Sequence, residues 1–78
     1  MEKIPSQILI YKRGKNYYCD AYGCFGGGYS GVFAGKNAEE AALFALREKG
    51  RYIDTNKLGG NIIVPQEVRE KMQQFKLI

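Results

Sequence analysis

Residues 7–13 and 16–25 are rich in Ile, Tyr and other strand formers, and only Gly14 and Lys15 separate the two runs. A two-residue loop of this kind joins the strands of a tight β-hairpin. A turn at Gly14 and Lys15 predicts four cross-strand pairs: Arg13 with Asn16, Tyr11 with Tyr18, Ile10 with Cys19, and Ile8 with Ala21. The turn therefore predicts the register as well as the hairpin.

Side chains alternate between the two faces of a strand, so this register sorts the hairpin residues into two sets. The first predicted face carries Ile8, Ile10, Tyr17, Cys19 and Ala21. The second predicted face carries Leu9, Tyr11, Arg13, Tyr18, Asp20 and Tyr22. The first face suits a core, whereas the second is rich in tyrosine.

A third strand is predicted at residues 29–34, after the glycines at positions 26–28, because glycine enters positive φ without a side-chain clash. A turn at Gly26 and Gly27 would add Val32 and Ala34 to the first face, and Tyr29 and Phe33 to the second. The three strands then form an antiparallel meander. Three consecutive glycines leave this register less constrained than that of the hairpin.

Asn37, followed three residues later by Glu40, is typical of a capping box and predicts a helix over residues 38–49 that ends at Gly50. Its apolar stripe is mostly alanine and should pack closely on the first face of the sheet. The stripe consists of Ala38, Ala41, Ala42, Ala45 and Leu46, and Leu43 and Phe44 widen it.

The C-terminal third predicts a short strand at residues 61–64 and a helix at residues 66–76. Pro65 suits the first position of that helix, where a missing backbone N–H costs nothing. Val68, Met72 and Phe75 share one side of it. The order is ββαβα or βββαβα, which predicts an α+β fold.

The 78 residues form one predicted domain, residues 1–78, too small for a second core. For a chain of this length, hydrophobic burial and ordering entropy nearly cancel, so the expected stability is marginal. A homodimer or a bound partner protein could supply part of the stability. No apolar run reaches membrane-spanning length and residues 1–5 lack a secretory core, so we expect a cytoplasmic protein without membrane contact.

Catalytic signatures are missing from this sequence. There is no histidine, so Ser–His and Cys–His pairs cannot form, and Cys19 and Cys24 cannot complete a four-ligand zinc site. In the predicted register the two thiols point to opposite faces and are expected to be free. We therefore expect no enzyme activity, no cofactor and no metal. The glycine-rich stretch at residues 23–31 lacks a following helix and is better explained as a β-turn than as an anion-binding loop.

The tyrosines are the clearest functional feature, because six occur in 78 residues. Tyrosine offers a large contact area with few rotors to freeze. The candidate partner-binding residues are Tyr11, Arg13, Tyr18, Tyr22 and Tyr29. Three interpretations remain open: the last helix buries these rings, the rings bind a protein, or they stack on nucleic-acid bases while Lys12, Arg13 and Lys15 contact phosphates.

Charge gives a weaker indication of partners. Twelve basic and eight acidic residues give a net charge of +4, which mildly favours an acidic partner. Lys49, Arg51 and Lys57 form a second basic cluster, which is typical of solvated surface near the C-terminal end of a helix.

Two family resemblances suggest what the partner does. Gly23-Cys24-Phe25 and the segment from Gly35 to Ala41, after a tyrosine-bearing hairpin, resemble the HicB-type antitoxin domain. That resemblance implies a non-catalytic version of the ribonuclease H fold that binds and blocks a toxin RNase, and that dimerises. Ten residues separate Cys24 from Gly35, where that family has a short link.

The second resemblance involves Asn56-Lys57 and the segment from Ile63 to Met72, which look similar to small phage-encoded proteins, among them anti-CRISPR inhibitors. Both resemblances imply a small protein of phage, prophage or toxin–antitoxin type. Such a protein would bind and block a nucleic-acid-processing partner. The alternative is a single-stranded nucleic-acid-binding domain that uses the same tyrosine face.

Overall fold

A computed structural model describes residues 5–23, 27–55 and 59–76 and confirms an α+β fold with the order βββαβα. The elements are β1 (Ser6–Arg13), β2 (Asn16–Tyr22), β3 (Gly28–Gly35), α1 (Ala38–Tyr52), β4 (Gly60–Ile63) and α2 (Gln66–Lys76). The four strands form one sheet in the order β3-β2-β1-β4. Cys24, Gly26 and Lys57, which entered the sequence predictions, lie outside the described residues.

The hairpin of β1 and β2 has the predicted register. Ile10 pairs with Cys19 and Tyr11 with Tyr18. Gly14 adopts a φ of 64° in the turn, a conformation that glycine enters without steric cost. The predicted first face is buried: Ile8, Ile10, Tyr17, Cys19 and Ala21 are each at most 4% exposed.

Strand β3 departs from the predicted register. Ala34 is buried and Phe33 lies on the second face, as predicted, and Phe33 pairs there with Tyr18. Val32 stays 38% exposed although it pairs with Cys19. Tyr29 was predicted on the second face, and this is wrong because it pairs with Ala21 on the buried side.

A β-bulge explains the position of Tyr29. Between the pairs Cys19–Val32 and Ala21–Tyr29, β2 has one residue, Asp20, while β3 has two, Ser30 and Gly31. An extra residue in one strand reverses the facing of every side chain beyond it. Gly31 has a φ of 69°, which permits the bulge.

Strand β4 joins the sheet parallel to β1, with Ile8 opposite Ile62 and Leu9 opposite Ile63. It begins at Gly60 and ends at Ile63, one residue earlier at each end than predicted. Parallel strands need a crossover connection, and α1 lies within that connection. The crossover places α1 on the buried side of the sheet, where it contacts β1, β2 and β3.

Helix α1 begins as predicted and ends later than predicted. The Asn37 side chain accepts the Glu40 N–H at 2.9 Å, and the Glu40 carboxylate accepts the Lys36 N–H at 3.0 Å. The helix passes through Gly50 to Tyr52, and the Ile53 N–H caps it by donating to the Lys49 carbonyl. Glycine ends a helix by adopting positive φ, and Gly50 does not do so.

One core lies between the sheet and the two helices. Ala41, Ala42 and Ala45 of α1 are fully buried in it, as predicted, and Val68 and Met72 of α2 join them. Phe75 packs against the same cluster. On this side of the sheet, the Tyr17 hydroxyl donates to the Glu67 carboxylate at 2.8 Å. Both helices therefore cover the same face.

Substitution of two glycines by alanine should change stability in opposite directions. Gly50→Ala should stabilise the fold by up to about 1 kcal/mol, because Gly50 lies inside α1 and an added Cβ meets nothing within 4 Å. Gly31→Ala should destabilise it by about 1 kcal/mol, because φ is positive there. Urea unfolding followed by circular dichroism measures both, and a loss of stability in Gly50→Ala would contradict the assigned helix end.

Candidate binding face

The side of the sheet opposite the helices is not covered by any element of the described chain. We call this side the open face. Cross-strand pairing places eleven side chains on it: Gln7, Leu9, Tyr11, Arg13, Asn16, Tyr18, Asp20, Tyr22, Phe33, Asn61 and Ile63. Tyr22, Phe33 and Ile63 are each 43% to 49% exposed. The interpretation in which α2 buries the tyrosine rings fails for the described residues, because α2 packs on the other side with α1.

Three aromatic rings cross the open face in one row, one from each of three neighbouring strands. Tyr11 stacks on Tyr18, with 6.1 Å between ring centroids and 27° between ring planes. Tyr18 meets Phe33 edge to face, with centroids 6.1 Å apart. We call Tyr11, Tyr18 and Phe33 the aromatic row. Ring pairs at these distances hold one another in place, which reduces the rotamer entropy left to lose on binding.

Asp20 fixes one end of this row to the bulge in β3. Its Oδ1 accepts the Gly31 backbone N–H at 2.7 Å and the Tyr11 hydroxyl at 3.3 Å. Desolvation, followed by the Asp20 charge, raises the pKa of Tyr11, so its hydroxyl stays protonated and donating at neutral pH. The contact with Gly31 could not be predicted because it depends on the register of β3, whereas Tyr11 and Asp20 lie diagonally on the same face in the predicted hairpin register.

The other predicted site residues divide between the two faces. Arg13 lies exposed on the open face beside the hairpin turn, and Tyr22 pairs with Gln7 at the other end of the hairpin, two rows from the aromatic row. Lys12 pairs with Tyr17 on the helix side, and its Nζ lies 5.8 Å from the Tyr17 ring centroid. Lys15 is exposed in the turn itself. Of the three predicted phosphate contacts, only Arg13 therefore projects from the tyrosine-bearing face.

Tyr29 belongs to the interior instead. Its hydroxyl lies 3.8 Å from the Cys19 sulfur, and its ring meets Tyr52 edge to face at 6.2 Å. Burial raises the pKa of Tyr29 well above its ordinary value, and the Cys19 thiol adds to the shift. The assignment of Tyr29 to the partner-binding set is not retained, because this ring packs against the core.

Glu48 is a buried carboxylate that sequence reasoning missed. It is 1% exposed, and its Oε1 lies 3.5 Å from Nε of Arg47 and 3.9 Å from the Arg51 guanidinium. Its Oε2 has no hydrogen-bond partner among the described residues. The available signal was its spacing, because position 48 continues the helical stripe of Ala41 and Ala45.

The buried thiol of Cys19 is not an activated nucleophile. Burial raises its pKa to about 11, so the thiol stays protonated at neutral pH. Lys49 and Arg51, the two described residues of the second basic cluster, lie in the last turn of α1 and are engaged within the protein. Lys49 Nζ contacts both Asp54 carboxylate oxygens, at 2.9 and 3.1 Å, and the Arg51 guanidinium lies 5.6 Å from the Tyr52 ring centroid.

Comparisons with known proteins place no relative beside this chain: no family model, no curated protein and no solved structure matches it. Neither helix of the described residues combines the length and apolar character needed to cross a membrane. Within the same residues, no cluster of three or more cysteine or acidic side chains could hold a metal ion.

The buried Cys19 predicts a loss of stability in alkali. Its folded pKa, about 11, is above the ordinary thiol value of 9.0, so the protonated thiol stabilises the fold fully below pH 9. That contribution falls as the pH rises towards 11, by up to about 1.4 kcal/mol per pH unit. Urea unfolding under reducing conditions at pH 8.0, 9.0 and 10.0 measures the slope. Cys19→Ala should flatten it, and equal slopes in both proteins would contradict the prediction.

Proposed function

We propose that this protein is a non-enzymatic binding module whose open face docks on a protein partner. The observation that carries the proposal is the aromatic row, which lies on the side of the sheet that neither helix covers, with Phe33 48% exposed and Tyr11 and Tyr18 half-buried. Aromatic rings dominate the energetics of protein interfaces because each buries a large area. Leu9 and Ile63 extend the apolar surface beside the row.

Charge on and around the open face favours an acidic patch on the partner. Arg13 is exposed at one end of the face, and the whole chain carries a net charge of +4. The only described carboxylate on the face, Asp20, is engaged by Gly31 and Tyr11. A guanidinium binds a carboxylate through two parallel hydrogen bonds, so Arg13 would orient the complex.

The family resemblances support the finer hypothesis that the partner processes nucleic acid and is blocked by this protein, as in phage, prophage or toxin–antitoxin systems. A protein with net positive charge does not mimic a nucleic-acid backbone. The proposed block is therefore steric: the aromatic row anchors the module on the partner, and the module covers the path of the substrate.

Single-stranded nucleic acid is the second candidate ligand. The stacked pair Tyr11 and Tyr18, next to the basic hairpin tip, supports it, because bases stack on such rings and basic side chains bind phosphates. The distribution of charge favours a protein instead. Only Arg13 among the basic tip residues projects from the open face, whereas a strand-binding groove needs charge along the whole backbone path.

Replacement of both stacked tyrosines tests the binding face. Tyr11→Ala with Tyr18→Ala should weaken binding to the partner by about 100-fold or more, as expected for two central aromatic anchors. Tyr11→Phe with Tyr18→Phe is the matched control, which keeps the rings and should lose less than about tenfold. The partner is captured from the native host with tagged protein, purified, and titrated by calorimetry.

Circular dichroism of both double variants decides between a binding role and a folding role. The alanine variant should keep the native spectrum because both side chains lie outside the core. Full affinity in the folded alanine variant would contradict the proposal, and loss of the fold would indicate that the aromatic row is structural.

A salt titration separates the two candidate ligands. With a fluorescent 20-nucleotide dT or rU probe, nucleic-acid binding should weaken steeply with increasing log salt, in proportion to the phosphates neutralised. We expect no saturable binding to either probe at about 0.15 M salt, where screening weakens phosphate contacts. Saturable, salt-sensitive binding that is lost in the alanine variant would replace the protein-partner proposal with the nucleic-acid one.

A further inference from the structure

Helix α1 carries a second stripe at the margin of its packing face, beside β3. It consists of Glu40, Leu43, Phe44 and Arg47, spaced i, i+3, i+4 and i+7, which places them on one side of the helix. Leu43 is 53% exposed, and the Arg47 side chain is 68% exposed. This surface, which we call the outer stripe, adjoins the alanine stripe, because Phe44 is half-buried against the core while Leu43 points away from it.

The outer stripe borders a groove of about 330 Å³ between α1 and β3. Ala34 of β3 and the four stripe residues line it. Leu43 and Phe44 form its apolar middle, with the negative Glu40 towards one end of the helix and the positive Arg47 towards the other. A complementary partner surface would have an apolar centre as well, with a positive charge facing Glu40 and a negative charge facing Arg47.

A second copy of this chain has those features. The outer stripe is symmetric about the midpoint between Leu43 and Phe44, with Glu40 and Arg47 equally distant from it in sequence. When two α1 helices pack antiparallel about a two-fold axis at this midpoint, Glu40 of each copy lies opposite Arg47 of the other. We propose that the protein forms a homodimer through the outer stripe, with Leu43 of each copy entering the groove of the other.

Local contacts hold Arg47 ready for this pairing. Its guanidinium lies 5.1 Å from the Phe44 ring centroid, and its Nε lies 3.5 Å from the buried Glu48 carboxylate. A side chain restrained before binding loses less entropy on association. Glu40 uses Oε1 to accept the Lys36 N–H, so its carboxylate is also oriented in the monomer.

The irregular shape of β3 favours a dimer that forms by packing of the α1 helices over one that forms by pairing of the β3 edge strands. Register shifts interrupt β3 at two places, and bulges of this kind discourage further strand pairing at a sheet edge. The outer stripe needs no backbone pairing. In a chain of 78 residues, the apolar surface buried in a dimer would add to a small core.

Sedimentation equilibrium tests the dimer directly. Wild-type protein should show twice the monomer mass of 8.8 kDa at about 100 µM chain and dissociate on dilution, as mass action requires. Leu43→Lys should weaken the dimer by about 100-fold, since lysine keeps the helix but buries a charge. The control for oligomeric state is Ile63→Lys, because Ile63 is 49% exposed at the opposite edge of the sheet.

Monomeric wild-type protein at about 200 µM would overturn the proposal, because a specific interface of this kind should be populated there. A dimer that survives Leu43→Lys would overturn it as well. Equal weakening by Ile63→Lys would place the interface elsewhere and would contradict it. Circular dichroism melting of each variant confirms that a monomeric mass does not come from unfolding.

Charge reversal tests the antiparallel geometry. Glu40→Lys and Arg47→Glu should each weaken self-association by about tenfold or more, because both ion pairs of the dimer become repulsive. When the two variants are mixed, a heterodimer has two attractive pairs: the new lysine of one variant faces the new glutamate of the other, and Arg47 of the first faces Glu40 of the second. The mixture should form a heterodimer that native mass spectrometry resolves, and two non-associating variants would overturn the antiparallel arrangement.

The dimer and the open face can be tested separately. Tyr11 and Tyr18 lie on β1 and β2, on the side of the sheet opposite α1, so the double alanine variant should sediment as a dimer. If that variant binds its partner normally, the proposed function fails while the dimer stands. If wild-type protein is monomeric but binds its partner through the aromatic row, the dimer proposal fails while the proposed function stands.

Discussion

The register of the first hairpin determines most of this structure. Two residues, Gly14 and Lys15, close the turn, and Gly14 has the positive φ that such a turn favours. A slip of one residue would exchange the two faces of either strand. A slip of β1 would remove Ile10 from the core and bring in Tyr11, and a slip of β2 would exchange Cys19 for Tyr18. The core and the candidate binding face are therefore two consequences of the same short turn.

The second requirement is that both helices cover one side of the sheet. Because β4 is parallel to β1, the chain must cross over between them, and the crossover contains α1. Its fully buried alanines allow close packing on the sheet, and α2 packs beside it. Because both helices pack on one face of the sheet, no further described element covers the opposite face, where the aromatic row lies.

Features that depend on nearby residues were predictable from the sequence, and those that depend on tertiary contacts were not. The Gly14 turn, the Asn37 cap and the position of Pro65 are local signals, and all three predict their elements correctly. The helix end predicted at Gly50 was wrong because a glycine ends a helix only when it adopts positive φ. Whether it does so depends on the contacts of the residues around it. The face predicted for Tyr29 was wrong because one extra residue in β3 turns its side chain to the opposite side of the sheet.

The bulge at Gly31 also shapes the charge of the candidate binding face. It turns Tyr29 into the core and brings its own N–H within 2.7 Å of Asp20. Asp20 also accepts the Tyr11 hydroxyl, so its charge is partly satisfied inside the protein. Arg13 is then the one exposed charge on the described part of that face. A single inserted residue therefore removes one tyrosine ring from the open face and leaves Arg13 as the exposed charge there, which supports the proposal of an acidic partner surface.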